Sequence, residues 1–164
     1  MESKALLVHL WDSCLDREGW FPPLEDALRD LTAEQAAWKP AEGASNSIRE
    51  LVRHLTFYKK RLLLRAKGET EGVPEAENND ATFKERDGSR ESWEADKREL
   101  FDVHRQLSAL LAEADSHELD RPIPQEGTLA ESIRSLAMHD AYHIGQIVLL
   151  SKLQGVWPEA RRFG

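Results

Sequence analysis

The stretch that decides the fold, residues 135–155, reads SLAMHDAYHIGQIVLLSKLQG. Its apolar residues recur at the spacing of an α-helix, and Gly155 provides a natural end. His139 and His143 are four residues apart, so a helix places both imidazoles on one face, one turn apart. The two rings could then reach one metal ion. A pair at this spacing is weak evidence by itself, so its meaning depends on the rest of the chain.

Three more long stretches show helical apolar spacing, and several begin with a capping pattern such as Ser47 followed by Glu50. We therefore predict long helices over residues 3–17, 47–67, 89–114 and 128–155. The predicted buried face of the first consists of Leu6, Leu7, Leu10 and Cys14. Short helical pieces are expected near residues 24–31 and after Thr32, and no credible strand is predicted. The expected fold is all-α, a four-helix bundle of the antiparallel type forming one domain over residues 1–164.

Composition excludes several classes of function. The chain has 164 residues and a net charge of −8, which disfavours nucleic acid as a partner because phosphate binding needs clustered Lys and Arg. Cys14 is the one cysteine, so an intrachain disulfide is impossible and we expect a reducing cytoplasm. The apolar run from Ala5 to Trp11 is too short for a signal peptide, and no segment is long enough for a membrane span.

Residues 68–88 are rich in acidic residues, Asn and Gly, and they lack any helical or alternating period. We predict a loop of about twenty residues, which in a compact domain is usually a functional lid or a mobile linker. Phe83 is its one plausible anchor to the rest of the protein.

Asp140 falls near the centre of the apolar face of the last helix. A carboxylate there is costly unless it is paired, so a buried polar cluster is expected. Two interpretations are open at this point. The residues form either a hydrogen-bonded cluster of His and Asp, or a metal site in which Asp140 hydrogen-bonds to a ligand histidine. His54 flanks the apolar face of the second long helix and, by itself, is typical of a packed histidine. The remaining histidines, His9, His104 and His117, are expected to be structural or exposed to solvent.

Two motifs carry a resemblance to a known family. The segment MHDAYHIGQI, residues 138–147, resembles the fourth-helix signature of the DinB/YfiT-like metalloprotein superfamily. The segment NSIRELVRH, residues 46–54, is similar to the opening of that family's second helix, with its histidine further along, and WKP at residues 38–40 fits as well. The resemblance extends from about Leu6 to Gly155. It implies a four-helix bundle with a metal site of His54, His139 and His143, and usually a homodimer.

Three neutral imidazoles suit Zn²⁺, Ni²⁺ or another late divalent ion and leave a coordination position open for water or substrate. Such a site could serve hydrolysis or thiol activation. The resemblance implies the second, since some members of the family are similar to thiol S-transferases that use a low-molecular-weight thiol. We therefore expect a metal-dependent enzyme acting on a small molecule, of the S-transferase or hydrolase type, and the alternative is a non-catalytic metal-binding or dimeric scaffold protein. Asp140 is the candidate catalytic residue, either to orient a ligand histidine or to take a proton from bound water. Tyr142 and Gln146 are expected to hydrogen-bond near the site or to pack. A di-iron site is excluded, since no Glu stands three residues before any His.

Overall fold

Four long helices form the protein, and a computed structural model describes residues 2–84 and 87–158. The long helices are α1 Glu2–Leu15, α4 Ile48–Ala66, α5 Arg90–Glu113 and α7 Leu129–Leu153. Helix α4 packs against α5 and α7, and α1 packs against the same two helices, which closes the bundle. The short elements are α2 Leu24–Leu28, α3 Ala33–Ala37, α6 Ser116–Leu119 and a 3-10 turn at Asp80–Phe83. The predicted all-α four-helix bundle is confirmed.

The helices begin where the capping patterns predict. Ser47 and Thr128 each accept a hydrogen bond from the backbone of the third helical residue, whose side chain bonds back to the cap. Thr32 forms the same capping box at α3, and Ser89 caps α5. These caps fix the starts of α4 and α7, the two helices that carry His54, His139 and His143.

The expectation that no strand occurs was wrong in one place. Strands β1, Pro122–Ile123, and β2, Gly127–Thr128, pair in antiparallel register. Gln125 in the turn between them and Gly127 at the start of β2 both have positive φ, 66° and 93°. Two residues per strand are too few to show an alternating pattern, so sequence periodicity does not reveal this hairpin.

The buried face predicted for α1 also needs correction. Leu6 and Leu10 are 59% and 40% exposed, whereas Trp11 and Leu15 are buried with Cys14. The Trp11 indole stacks on the His104 ring, with ring centroids 4.0 Å apart, and its Nε1 donates to the His104 carbonyl. This large side chain sets the rotation of α1, and Leu6 and Leu10 turn outward as a result.

None of the helices within the described ranges combines the length and the apolar character needed to cross a lipid bilayer.

Candidate metal centre

Three histidines from two helices meet at one point. His54 lies on α4, and His139 and His143 lie one turn apart on α7. The Nε2 atom of His139 is 2.9 Å from Nε2 of His54 and 3.0 Å from Nε2 of His143. One ligand atom from each residue lies within 4.8 Å of the other two, so the group could hold a metal ion. The structure thus brings together the three residues predicted as ligands.

Hydrogen bonds behind the rings set the tautomers of two of these histidines. The Thr82 hydroxyl donates to the Asn79 carbonyl, so its oxygen accepts from Nδ1–H of His54 at 2.5 Å. Nδ1 of His143 donates to Oε1 of Gln146 at 2.6 Å. Because a neutral imidazole carries one N–H, the Nε2 atoms of His54 and His143 are bare. Their lone pairs point toward the centre of the group.

Nε2 of His139 faces the bare Nε2 atoms of both His54 and His143. A neutral His139 has one proton and can donate it to only one of them, whereas a cation between the rings accepts all three lone pairs. Nitrogen ligands on one ion with bonds of about 2.1 Å lie about 3.0–3.4 Å from each other at octahedral or tetrahedral angles. The separation of 3.0 Å lies at the lower end of that range, and the separation of 2.9 Å lies 0.1 Å below it. The donor set therefore fits a divalent ion that accepts imidazole nitrogen.

Burial keeps the three rings neutral. Desolvation, followed by the neighbouring histidines, lowers the pKa of His54 to about 3. The same causes lower the pKa of His139 to about 4, and desolvation lowers the pKa of His143. Lys59 adds a positive charge nearby that pushes all three pKa values down. At neutral pH all three histidines are in the form that binds metal.

Aromatic side chains enclose the group. Phe83, in the 3-10 turn of the acidic loop, stacks on His54 with ring centroids 3.9 Å apart and planes 8° apart. Tyr58 meets His54 edge-on, and Tyr142 meets His143 in the same way. Phe83, the residue predicted to anchor the loop, therefore docks directly on a candidate ligand. The loop forms part of the wall of the site.

A cavity of ≈ 380 Å³ lies beside His139. Its walls include Tyr58, Asn79, Glu126 and Ser135. The Tyr58 hydroxyl donates to Oδ1 of Asn79, which ties the loop to α4 across one side. The volume is in the range of pockets that bind small molecules.

Asp140, the candidate catalytic residue, points into the core of the bundle. Its Oδ1 accepts a hydrogen bond from Nζ of Lys59, and both side chains are fully buried. Its Oδ2 lies 3.7 Å from Nδ1 of His104, and neither of these two atoms has a hydrogen-bond partner among the described residues. A catalytic role for Asp140 stays a prediction. Gln146, a lesser candidate, does contact the site through His143.

Two other side chains in the core behave as expected from the sequence. Cys14 is buried, and desolvation, reinforced by the nearby Asp140 carboxylate, raises the pKa of its thiol to about 12. That value is typical of a packing residue rather than of a nucleophile. His104, expected to be structural or exposed to solvent, is completely buried and packs against Trp11.

Sequence reasoning missed Thr82 and Lys59. Thr82 lies in a loop without periodicity, so no pattern marks it as the partner of His54. Lys59 did leave a signal, because helical spacing places it on the same face as Leu55 and Leu62. A lysine on one apolar face and Asp140 on another predict a buried pair.

The comparison with protein families agrees with this geometry. The sequence profile of the DinB superfamily matches residues 23–147. The chain belongs to the DinB superfamily. The segment shared with other DinB proteins runs from before α2 into α7 and includes all three histidines, which confirms the resemblance noted from the two motifs. Neither a curated protein nor a solved structure matches this DinB chain with significance.

Proposed function

We propose that the protein binds one divalent metal ion, Zn²⁺ or Ni²⁺, through His54, His139 and His143. The observation that carries this proposal is the convergence of three Nε2 atoms while the Nδ1 protons of two rings are committed to Thr82 and Gln146. Metal-binding histidines commonly have such a hydrogen bond on the second nitrogen, because it fixes the tautomer and the orientation of the ring.

Metal analysis of protein purified without a His tag tests the site. We expect about one ion per chain, retained in His117→Ala and lost in His143→Ala. His117 is a matched control because it is exposed and lies on α6, outside the bundle core. A content near zero after incubation with zinc and nickel salts would refute the site.

We propose further that the protein is a metal-dependent enzyme for a small molecule. Three histidines leave open positions on the ion, and an ion bound there lowers the pKa of a coordinated water or thiol. The cavity beside His139 supplies room for a substrate, with the Tyr58 hydroxyl, the Asn79 amide and the Glu126 carboxylate on its walls. The resemblance to thiol S-transferases makes a low-molecular-weight thiol the first substrate to test.

The test of catalysis offers a low-molecular-weight thiol together with an electrophilic acceptor. Conjugation that depends on added metal and disappears in His143→Ala supports a transferase. Conversion of an ester or amide under the same dependence supports a hydrolase instead. Stoichiometric metal without turnover of either kind would leave a non-catalytic metal-binding protein, which is the alternative function.

A specific observation favours a homodimer in either case. Met138, Tyr142, Leu149 and Leu153 lie along one side of α7 and are 56–68% exposed, with Met138 the most exposed. Apolar side chains grouped on a helix in this way are typical of protein interfaces. Light scattering at increasing concentration should give twice the monomer mass, and Leu149→Glu should return it to one chain. A monomeric mass for the unmodified protein at every concentration would refute the dimer.

A further inference from the structure

A lysine and an aspartate form an ion pair in the middle of the bundle. Lys59 on α4 donates to Asp140 on α7, and both side chains are 0% exposed. Removing two charges from water costs free energy, which burying apolar side chains of the same size does not, so such a pair is a poor source of stability. Its best-attested benefit is to select one arrangement of the elements that it joins.

The pair lies next to the candidate ligands in the chain. Asp140 directly follows His139, and Lys59 comes five residues after His54 on the same helix, about 7.5 Å along its axis. The ion pair therefore joins the two helices that supply all three histidines, close to the point where they meet.

The surroundings leave the pair little freedom to move. The Trp11 ring lies 5.5 Å from Nζ of Lys59 and stacks on His104. His104 Nε2 donates to the Trp11 carbonyl, and its Nδ1 faces Oδ2 of Asp140 at 3.7 Å. Helices α1 and α5 thus enclose the pair from the other side. Because both side chains are fully buried among these groups, their contact constrains the rotation of α7 against α4.

We propose that Lys59 and Asp140 are positioning residues that fix the rotation and register of α7 on α4 and so bring the three histidine Nε2 atoms together. The proposal rests on the metal site proposed above. Apolar side chains tolerate small shifts of one helix along another, whereas metal ligands must be held within about 0.5 Å of their working geometry. A hydrogen-bonded ion pair supplies the directional contact that the apolar faces lack.

A matched pair of double variants tests the proposal. Lys59→Met/Asp140→Ala removes both charges together, so neither is left buried without a partner. The control is Arg49→Met/Asp96→Asn, which removes another buried pair of charges, with Arg49 Nε donating to Asp96 Oδ2 at 3.0 Å. Arg53 Nη1 also donates to Asp96 Oδ1, and the asparagine keeps an oxygen there to accept that hydrogen bond. The pair of Arg49 and Asp96 joins α4 to α5, and α5 carries none of the three histidines. The readouts are the dissociation constant for zinc, from competition with a chromophoric chelator, and the visible spectrum of the cobalt-substituted protein.

We expect Lys59→Met/Asp140→Ala to raise the zinc dissociation constant about 10- to 100-fold and to change the cobalt spectrum. The control should keep both properties within about twofold of wild type, whatever its melting temperature. Wild-type affinity and spectrum in Lys59→Met/Asp140→Ala would overturn the proposal, as would equal losses in the control. If Lys59→Met/Asp140→Ala does not fold, Asp140→Asn, which keeps the volume of the side chain, is used in its place. We expect this variant also to bind zinc more weakly and to change the cobalt spectrum, and wild-type values for both would overturn the proposal. Failure of the proposed metal site can be distinguished from failure of this proposal, because without the site the unmodified protein would bind no zinc.

Discussion

Replacing Thr82 with valine removes one oxygen from the wall of the metal centre and keeps the shape of the side chain. Thr82 is buried, and its hydroxyl oxygen accepts from Nδ1 of His54 at 2.5 Å. With this acceptor present, His54 holds its proton on Nδ1 and presents a bare Nε2 to the ion. Without it, the proton can move to Nε2, the atom that has to bind the metal. Thr82→Val should therefore weaken metal binding.

The size of the effect follows from the contact that is lost. Removing the hydrogen-bond partner of a ligand histidine typically weakens metal affinity about 10- to 100-fold, which corresponds to about 1.4–2.7 kcal/mol. That range agrees with the cost of leaving a buried donor without a partner, about 1–3 kcal/mol. The hydrogen bond from Thr82 to the Asn79 carbonyl is lost as well, so part of the effect is a looser 3-10 turn.

Chelator competition with zinc measures the effect, and Thr56→Val is the control. Thr56 is also a buried threonine, but its hydroxyl donates to the Val52 carbonyl within α4 rather than bonding to a site histidine. We expect the control to bind zinc like the wild type. A dissociation constant for Thr82→Val within twofold of wild type would show that Thr82 does not determine the tautomer of His54.

Three further outcomes are expected. The metal-free protein should lose stability as pH falls below about 6.5, the pKa of unfolded histidine, because burial lowers the folded-state pKa of His104 to about 2, of His54 to about 3 and of His139 to about 4. Above pH 6.5 the three rings are neutral in both states and this loss of stability is absent. Between pH 6.5 and pH 4 each ring lowers the free energy of unfolding by about 1.4 kcal/mol per pH unit. Equal urea midpoints at pH 7 and pH 5 would contradict this prediction. Ser47→Ala should destabilise the protein by about 1 kcal/mol through loss of the α4 capping box, measured by thermal unfolding, and an unchanged melting temperature would count against that cap. Zinc at 100 times its dissociation constant should add about 2.7 kcal/mol of stability that EDTA removes, and the absence of any shift would argue against binding to the folded state alone.

The parts of the fold that depend on local chemistry could be predicted from the sequence. Ser47 and Thr128 mark helix starts because a hydroxyl three residues before a glutamate satisfies free backbone N–H groups wherever it occurs. Gly68 and Gly155 mark helix ends because both adopt positive φ, 75° and 74°. The four long helices follow from these signals and from the spacing of apolar residues.

The features that depend on tertiary contacts could not be predicted in this way. The rotation of α1 is set by Trp11 against His104, two residues that are 93 positions apart in the chain. Thr82 reaches His54 because a loop folds back on α4, and no periodic pattern encodes that path. The two histidines on α7 could be paired by spacing, whereas His54 required the family motif.

The two ends of the candidate site are far apart in the chain, since His54 and His139 are separated by 85 positions. In polymer terms, an ion bound to both would be a reversible crosslink that closes a long loop. A crosslink at such a separation removes about 4–5 kcal/mol of conformational freedom from the unfolded chain. The supply of metal would then control how far the two halves of the protein can separate when the protein unfolds. It would thereby control how readily proteases reach the unfolded chain.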